Sequence, residues 1–146
     1  MNKQDIIARL PYKKPFLFVD KLINIDENGV EGSFRFDENL EFYKGHFSDF
    51  PVTPGVILTE TMAQIGVVCL GIYLINDNFI KNTSIALTST DIEFLKPVFP
   101  NENVAVVSKK IYFRFGKLKC HVSMKNASGE EVCSGTIAGI IHSKNE

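Results

Sequence analysis

The sequence predicts an α+β fold in which an antiparallel sheet wraps one long buried helix. Three observations predict it. Residues 16–36 read as a hairpin, a nearly uniform apolar helical stretch opens at Thr53-Pro54-Gly55, and the last third alternates with strand period. The 146 residues make one domain, 1–146. A chain of that size hides about two-thirds of its unfolded surface, enough for a core of its own.

The first apolar run, Phe16-Leu17-Phe18-Val19, follows Pro15 and continues through Leu22, Ile23 and Ile25, which suggests a strand entered from a proline turn. Asp26-Glu27-Asn28-Gly29 is turn chemistry, with Asn-Gly supplying residues that accept positive φ. From Val30 to Phe36, Val30, Gly32, Phe34 and Phe36 share one face and Glu31, Ser33 and Arg35 the other, as in a half-buried strand. Thr53 then suits an N-cap and Pro54 the first helical position. The helix should run about 20 residues, to Asn76-Asp77-Asn78, with apolar residues nearly all round it, and so belongs inside the protein. Gly66 and Gly71 leave room for close packing. Ser84–Phe94, Val104–Phe115, the alternating Leu118, Cys120, Val122 and Met124, and Val132–Ile141 supply the remaining strands, with a turn over Asn126–Gly129.

A net charge of −1 gives no reason to expect nucleic-acid binding. Cys69, Cys120 and Cys133 have no metal-ligand or disulfide spacing and read as buried thiols in a reducing compartment. The first ten residues carry Lys3, Asp5 and Arg9, unlike a secretory signal. Thr61–Ile75 is too short to span a bilayer comfortably. The expectation is a soluble cytoplasmic protein without a membrane span.

The polar residues near the helix start are the unusual ones. His46 precedes a loop holding Pro51 and Pro54, Glu60 lies inside the apolar helix, and Gln64 is one turn later on the same face. The plain readings are a loop or capping histidine, and a narrow solvent-facing stripe of Thr59, Glu60, Thr61 and Gln64. His121 and His142 fall on exposed phases of their strands. The functional reading starts from the backbone N–H groups of Gly55 and Val56, which point at whatever docks on the helix and stabilise negative charge on a carbonyl oxygen. A histidine and a carboxylate beside them supply a base, an acid and an oxyanion site. Those parts suit proton abstraction next to a thioester carbonyl.

Four blocks then carry a resemblance. Leu10-Pro11-Tyr12-Lys13-Lys14-Pro15-Phe16-Leu17-Phe18-Val19-Asp20, Gly45-His46-Phe47-Ser48-Asp49-Phe50-Pro51-Val52-Thr53-Pro54-Gly55-Val56, Glu60-Thr61-Met62-Ala63-Gln64 and Phe94-Leu95-Lys96-Pro97-Val98-Phe99-Pro100 occur in this order. Together they resemble the FabZ-type 3-hydroxyacyl-acyl-carrier-protein dehydratases. The resemblance implies a hot-dog fold and a homodimer joined edge to edge, often a trimer of dimers. It implies active sites where His46 of one subunit faces Glu60 of the other. In the implied chemistry His46, oriented by the Val52 carbonyl, removes the C2 proton of a (3R)-3-hydroxyacyl thioester. Gly55 N–H binds the thioester oxygen, Glu60 protonates the leaving hydroxyl, and Gln64 holds Glu60. No metal or redox cofactor is needed. The implied partner is acidic acyl carrier protein, for which Lys96, Arg114 and Lys117, with Lys109, Lys110 and Lys119 around them, are candidate docking cations; the plain reading of each is a solvated strand face.

The chain departs from that pattern beside the site. Tyr12 stands where the family usually has His, Lys14 where it has Tyr, Ser48-Asp49-Phe50-Pro51 where it has Pro-Gly-Asn-Pro, and Thr53 where it has Met. The proposed catalytic groups remain, while the loop that shapes the acyl site differs. Chain length and pathway, fatty acid or polyene, therefore stay open. Glu60 favours simple dehydration over the isomerising FabA-type enzymes, which carry Asp there. Two other readings use the same scaffold: a hot-dog thioesterase, and a non-catalytic acyl-binding subunit of a heteromer.

Overall fold

The computed structural model describes residues 1–76 and 83–143. A short helix absent from the sequence reading, α1 (Lys3–Ala8), opens the chain. Asn2 caps it, its Oδ1 accepting from Asp5 N–H at 2.8 Å, and Ile6 buries completely beneath it.

The first strand, β1 (Lys21–Asp26), starts five residues later than its apolar run suggests. The polar groups that a strand at residues 16–18 would use are already taken: Phe18 N–H and the Phe16 carbonyl bond to the side chain of Gln64. After β1 comes β2 (Gly29–Arg35), and Asp26 Oδ1 closes the turn by accepting from Asn28 and Gly29 N–H. Neither Asn28 nor Gly29 has positive φ. Glycine is required at position 29 for another reason: a β-carbon there would lie 2.2 Å from the Ser108 carbonyl oxygen.

The predicted helix is α2 (Gly55–Ile75), 21 residues long, so about 30 Å from end to end. Its central stretch, Gln64–Cys69, is wound as a π-helix and wholly buried. Ser108 Oγ donates to the Gly66 carbonyl at 2.8 Å within this stretch. Among the described residues α2 alone is long and apolar enough to cross a membrane, but 72% of its most apolar window is buried, as in a core helix. Its C-terminal boundary falls at Asn76, whose φ of +56° ends the helix, while the predicted Asp77 and Asn78 lie outside the described residues.

The other strands are β3 (Thr83–Phe94), β4 (Asn103–Arg114), β5 (Lys117–Asn126) and β6 (Glu131–Ser143). They join β1 and β2 in one antiparallel sheet of order β1-β2-β4-β5-β6-β3. The inward phase predicted for β5 is the observed one, since Leu118, Cys120, Val122 and Met124 are buried. Their side chains press on α2: a β-carbon at Gly66 would come within 3.0 Å of Val122, which explains why glycine occupies the contact. The three cysteines are free and buried. His121 is exposed as expected; the side chain of His142 lies outside those described. The edge strand β3 presents Leu87 and Phe94, 43% and 52% exposed, next to a bulge at Leu87/Ser89.

Candidate active site

Thr53 does not cap α2. It is buried, its hydroxyl pairs with Tyr43 OH at 2.5 Å, and its N–H donates to the Val98 carbonyl. Pro54 takes the cap position and offers no side-chain acceptor. Consequently the N–H groups of Gly55 and Val56 have no acceptor among the described residues, whereas Ile57 and Leu58 N–H already bond to the Pro54 carbonyl. The sequence located the helix start, and the structure shows why its amides are free: the natural capping side chain is occupied elsewhere.

Glu60, one turn further along, is partly buried. Gln64 Nε2 donates to its Oε2 at 2.9 Å. The same Nε2 donates to the Phe16 carbonyl at 3.0 Å, and Gln64 Oε1 accepts from Phe18 N–H at 2.8 Å. Both N–H donors and one acceptor position of this fully buried amide are used, so its orientation is fixed from the loop before β1. Burial pushes the Glu60 carboxyl above its ordinary value, partly offset by the Gln64 hydrogen bond, which favours the ionised form. Tyr12 lies close enough for that charge to matter. Burial first, then the Glu60 charge, push its phenol up to about 12, so it stays a neutral group. The solvent-facing polar stripe is ruled out, since Thr61 and Gln64 are buried and Thr61 Oγ1 turns back to the Ile57 carbonyl.

His46 follows a 3-10 turn, Glu41–Lys44. Its Nδ1 lies 2.9 Å from the Val52 carbonyl oxygen. A carbonyl only accepts, so Nδ1 is the donor here, and in the neutral ring the lone pair is then on Nε2. The loop between them is closed by paired backbone bonds between Phe47 and Phe50 and by Val52 N–H to the His46 carbonyl. Phe47 stacks on the imidazole at 4.1 Å between centroids.

A groove of about 770 Å³ runs along the free helix terminus, lined by Gly55, Val56, Thr59 and Glu60 on α2 and by Leu87, Thr90, Asp91, Ile92 and Phe94 on β3. Phe94 lies across Gly55, 3.3 Å from where a β-carbon would stand. The structure thus brings Gly55, Val56, Glu60 and Gln64 together, and His46 with Val52, but His46 does not line this groove within one chain. The β3 residues of the groove, and the backbone of Phe16 and Phe18, were not identified from sequence. For Phe16 and Phe18 the one signal is Gln64 itself, a buried amide that needs partners.

The cations expected to meet a carrier do not form a single patch in one chain. Lys96, near the groove, is ion-paired with Glu130. Arg114 and Lys117 pair across the β4–β5 tip, where Gly116 accepts from Ile141 N–H. Ile141 in turn packs beside Gly71 at the far end of α2, about 24 Å along the helix from Gly55.

Comparison with known proteins adds the following. Residues 22–136 match a family described as ApeI-like, ApeI dehydratase. The 3-hydroxyacyl-[acyl-carrier-protein] dehydratase FabZ of Clostridium perfringens is 33% identical over 137 residues, covering 94% of this chain and 96% of that one. The FabZ of Sinorhizobium fredii is 34% identical over 145 residues, covering 98% and 91%. Among solved structures, the dehydratase heterocomplex ApeI:P of Xenorhabdus doucetiae superposes with a TM-score of 0.81 at 13% identity, covering 100% of this chain and 95% of that one. A hypothetical thioesterase from Streptococcus pneumoniae with coenzyme A gives 0.65 at 13% identity, covering 84% of each. These structural likenesses establish the hot-dog fold.

Proposed function

The chain belongs to the dehydratase family that includes the ApeI-like and FabZ enzymes, and is itself a dehydratase; we propose that it acts on (3R)-3-hydroxyacyl chains of acyl carrier protein through His46 and Glu60. The observation that carries the site assignment is the Glu60 carboxyl, raised by burial and fixed by Gln64, beside the unpaired N–H groups of Gly55 and Val56. An acid and an oxyanion site thus share one groove.

The reaction follows from these positions. With Nδ1–H held by Val52, His46 Nε2 takes the C2 proton. Charge that moves onto the thioester oxygen is met by Gly55 N–H, supported by Val56 N–H and the positive end of α2. The Glu60 carboxyl gives its proton to the 3-hydroxyl as the C3–O bond breaks, and water leaves with a trans-2 double bond formed. Proton exchange with solvent restores neutral His46 and protonated Glu60. Every group in this sequence is a side chain or backbone amide of the protein.

His46 comes from a second copy in this reading. The groove reaches the edge strand β3, whose outer backbone edge has no partner strand among the described residues of one chain. Two β3 strands paired antiparallel about a two-fold axis would place each Glu60 groove against the partner subunit. They would also carry the partner subunit's Arg114 and Lys117 toward the groove, joining Lys96 around one mouth. The same pairing serves a homodimer and a trimer of dimers. The free, buried cysteines suit a cytoplasmic setting.

A short trans-2-enoyl thioester tests the chemistry. Loss of the conjugated enoyl absorbance without thiol release is the expected result. Thiol release would assign the groove to a thioesterase, and no reaction with carrier-bound substrates of several chain lengths would reduce the chain to an acyl-binding subunit.

A further inference from the structure

Between Asn103 and Asn126 the β4–β5 hairpin carries Lys109, Lys110, Arg114, Lys117, Lys119 and Lys125 and no acidic residue, in a chain of net charge −1. Arg114 pairs with Lys117, so the connection is the two-residue turn Phe115-Gly116, with φ of +51° and +76°. A turn with positive φ at both positions favours Asn-Gly or Gly-Gly, because a β-carbon crowds the backbone in that region. Phenylalanine is therefore poorly suited to the first position. It is also 98% exposed, so no packing compensates for its presence. Folding and stability supply no reason for an aromatic ring at this apex.

The surroundings suggest one. Tyr112 pairs with Lys119 and Arg114 with Lys117, and the intervening pair, Phe113 with Leu118, faces the opposite side, where Leu118 is buried in the core. The outer face just behind the apex therefore carries an aromatic ring and three cations. The Arg114 guanidinium lies 4.3 Å over the Tyr112 ring, which holds its charge next to the tip.

We propose that Phe115 is the apolar anchor of the carrier-docking surface, entering the acyl carrier protein while Arg114, Lys117 and Lys119 meet its acidic groups. This rests on the reading that the substrate is carrier-borne. An exposed aromatic ringed by cations has the composition of an interface hot spot, and charge complementarity selects an acidic partner.

The test compares two thioesters of one 3-hydroxyacyl chain, on acyl carrier protein and on N-acetylcysteamine. Phe115→Asn places a residue suited to positive φ at the apex and removes the anchor. We expect it to raise Tm while increasing KM for the carrier-bound substrate about tenfold. On the carrier-free thioester kcat and KM should stay at wild-type values, and Phe115→Leu should keep most of the carrier affinity. Arg114→Glu with Lys117→Glu should raise the carrier KM further and weaken its salt dependence. An unchanged carrier KM in Phe115→Asn, with the free thioester still turned over, overturns the docking inference and leaves the dehydratase reading intact. Equal losses on both substrates overturn it too, in favour of a structural role. Loss of sedimentation with phosphatidylglycerol vesicles at unchanged carrier KM assigns the tip to a membrane surface instead. A wild-type enzyme that dehydrates neither substrate overturns both readings together.

Discussion

At the scale of single residues, the proposed acid is a compromise between function and stability. Burial holds a proton on Glu60 at higher pH than a free carboxyl would keep it. In the unfolded chain the same carboxyl ionises at its ordinary value. Between the two values the folded form binds more protons, so stability falls as pH rises through that interval. Glu60→Gln should therefore raise Tm at pH 8 and leave it near wild type at pH 4, while dehydration drops by about 10²–10⁴-fold. Calorimetry at both pH values, with the enoyl absorbance assay, checks the pair of outcomes; a lower Tm at pH 8 would show that the carboxylate stabilises the fold. Gln64 acts in the opposite sense, since its N–H favours the ionised carboxylate. In Gln64→Leu the decline of rate on the alkaline side should move to higher pH. That variant also leaves Phe18 N–H and the Phe16 carbonyl unpaired, at about 1–3 kcal/mol for each group that stays buried. Denaturant melts read the second effect and the pH–rate profile the first.

At the scale of elements, the start of α2 depends on a hydrogen bond made elsewhere. Tyr43 OH holds the Thr53 hydroxyl, and this contact keeps a natural capping residue from turning onto the helix amides. Tyr43→Phe removes the bond and leaves a buried hydroxyl without its partner. It should lower Tm by about 2–6 °C, from a loss of roughly 1–2 kcal/mol. If Thr53 then turns to cap the helix, the variant also loses activity by covering the Gly55 and Val56 amides. Thr53→Val, which cannot cap, separates these effects: it should be destabilised while keeping its rate. A rate lost equally in both variants would refute the account of the open terminus. Elements whose signal is local were legible in the sequence. The strands Val30–Phe36 and Leu118–Met124 show period two, and α2 shows an uninterrupted apolar run. The missed features depend on distant partners. Residues 16–18 look like a strand until Gln64, 46 residues later, takes their backbone groups. Thr53 looks like a cap until Tyr43 takes its hydroxyl. Glycine at position 29 looks like a turn residue, whereas the constraint is the Ser108 carbonyl on another strand.

At the scale of the whole molecule, one chain holds both members of the proposed pair but not on one groove. His46 is set in its loop by Val52, and Glu60 lies in the groove beside β3. If the pair forms across two copies, variants that are separately inactive should complement each other. His46→Ala and Glu60→Gln, unfolded and refolded together in equal amounts, yield about half mixed dimers. Each mixed dimer has one site with both groups intact and one with neither, so the mixture should recover about a quarter of wild-type turnover. A pair contained within each chain predicts no recovery, because every site in every dimer then lacks one group. The edge strand supplies the control. Leu87 is exposed on β3 and also lines the Glu60 groove, so a charge there acts on the proposed interface. Leu87→Arg would meet its own copy or a close neighbour across the two-fold axis. It should shift the species seen by analytical ultracentrifugation toward monomer, with activity falling in parallel as protein is diluted. Activity that survives in a true monomer would break the link between assembly and catalysis, whatever the complementation result.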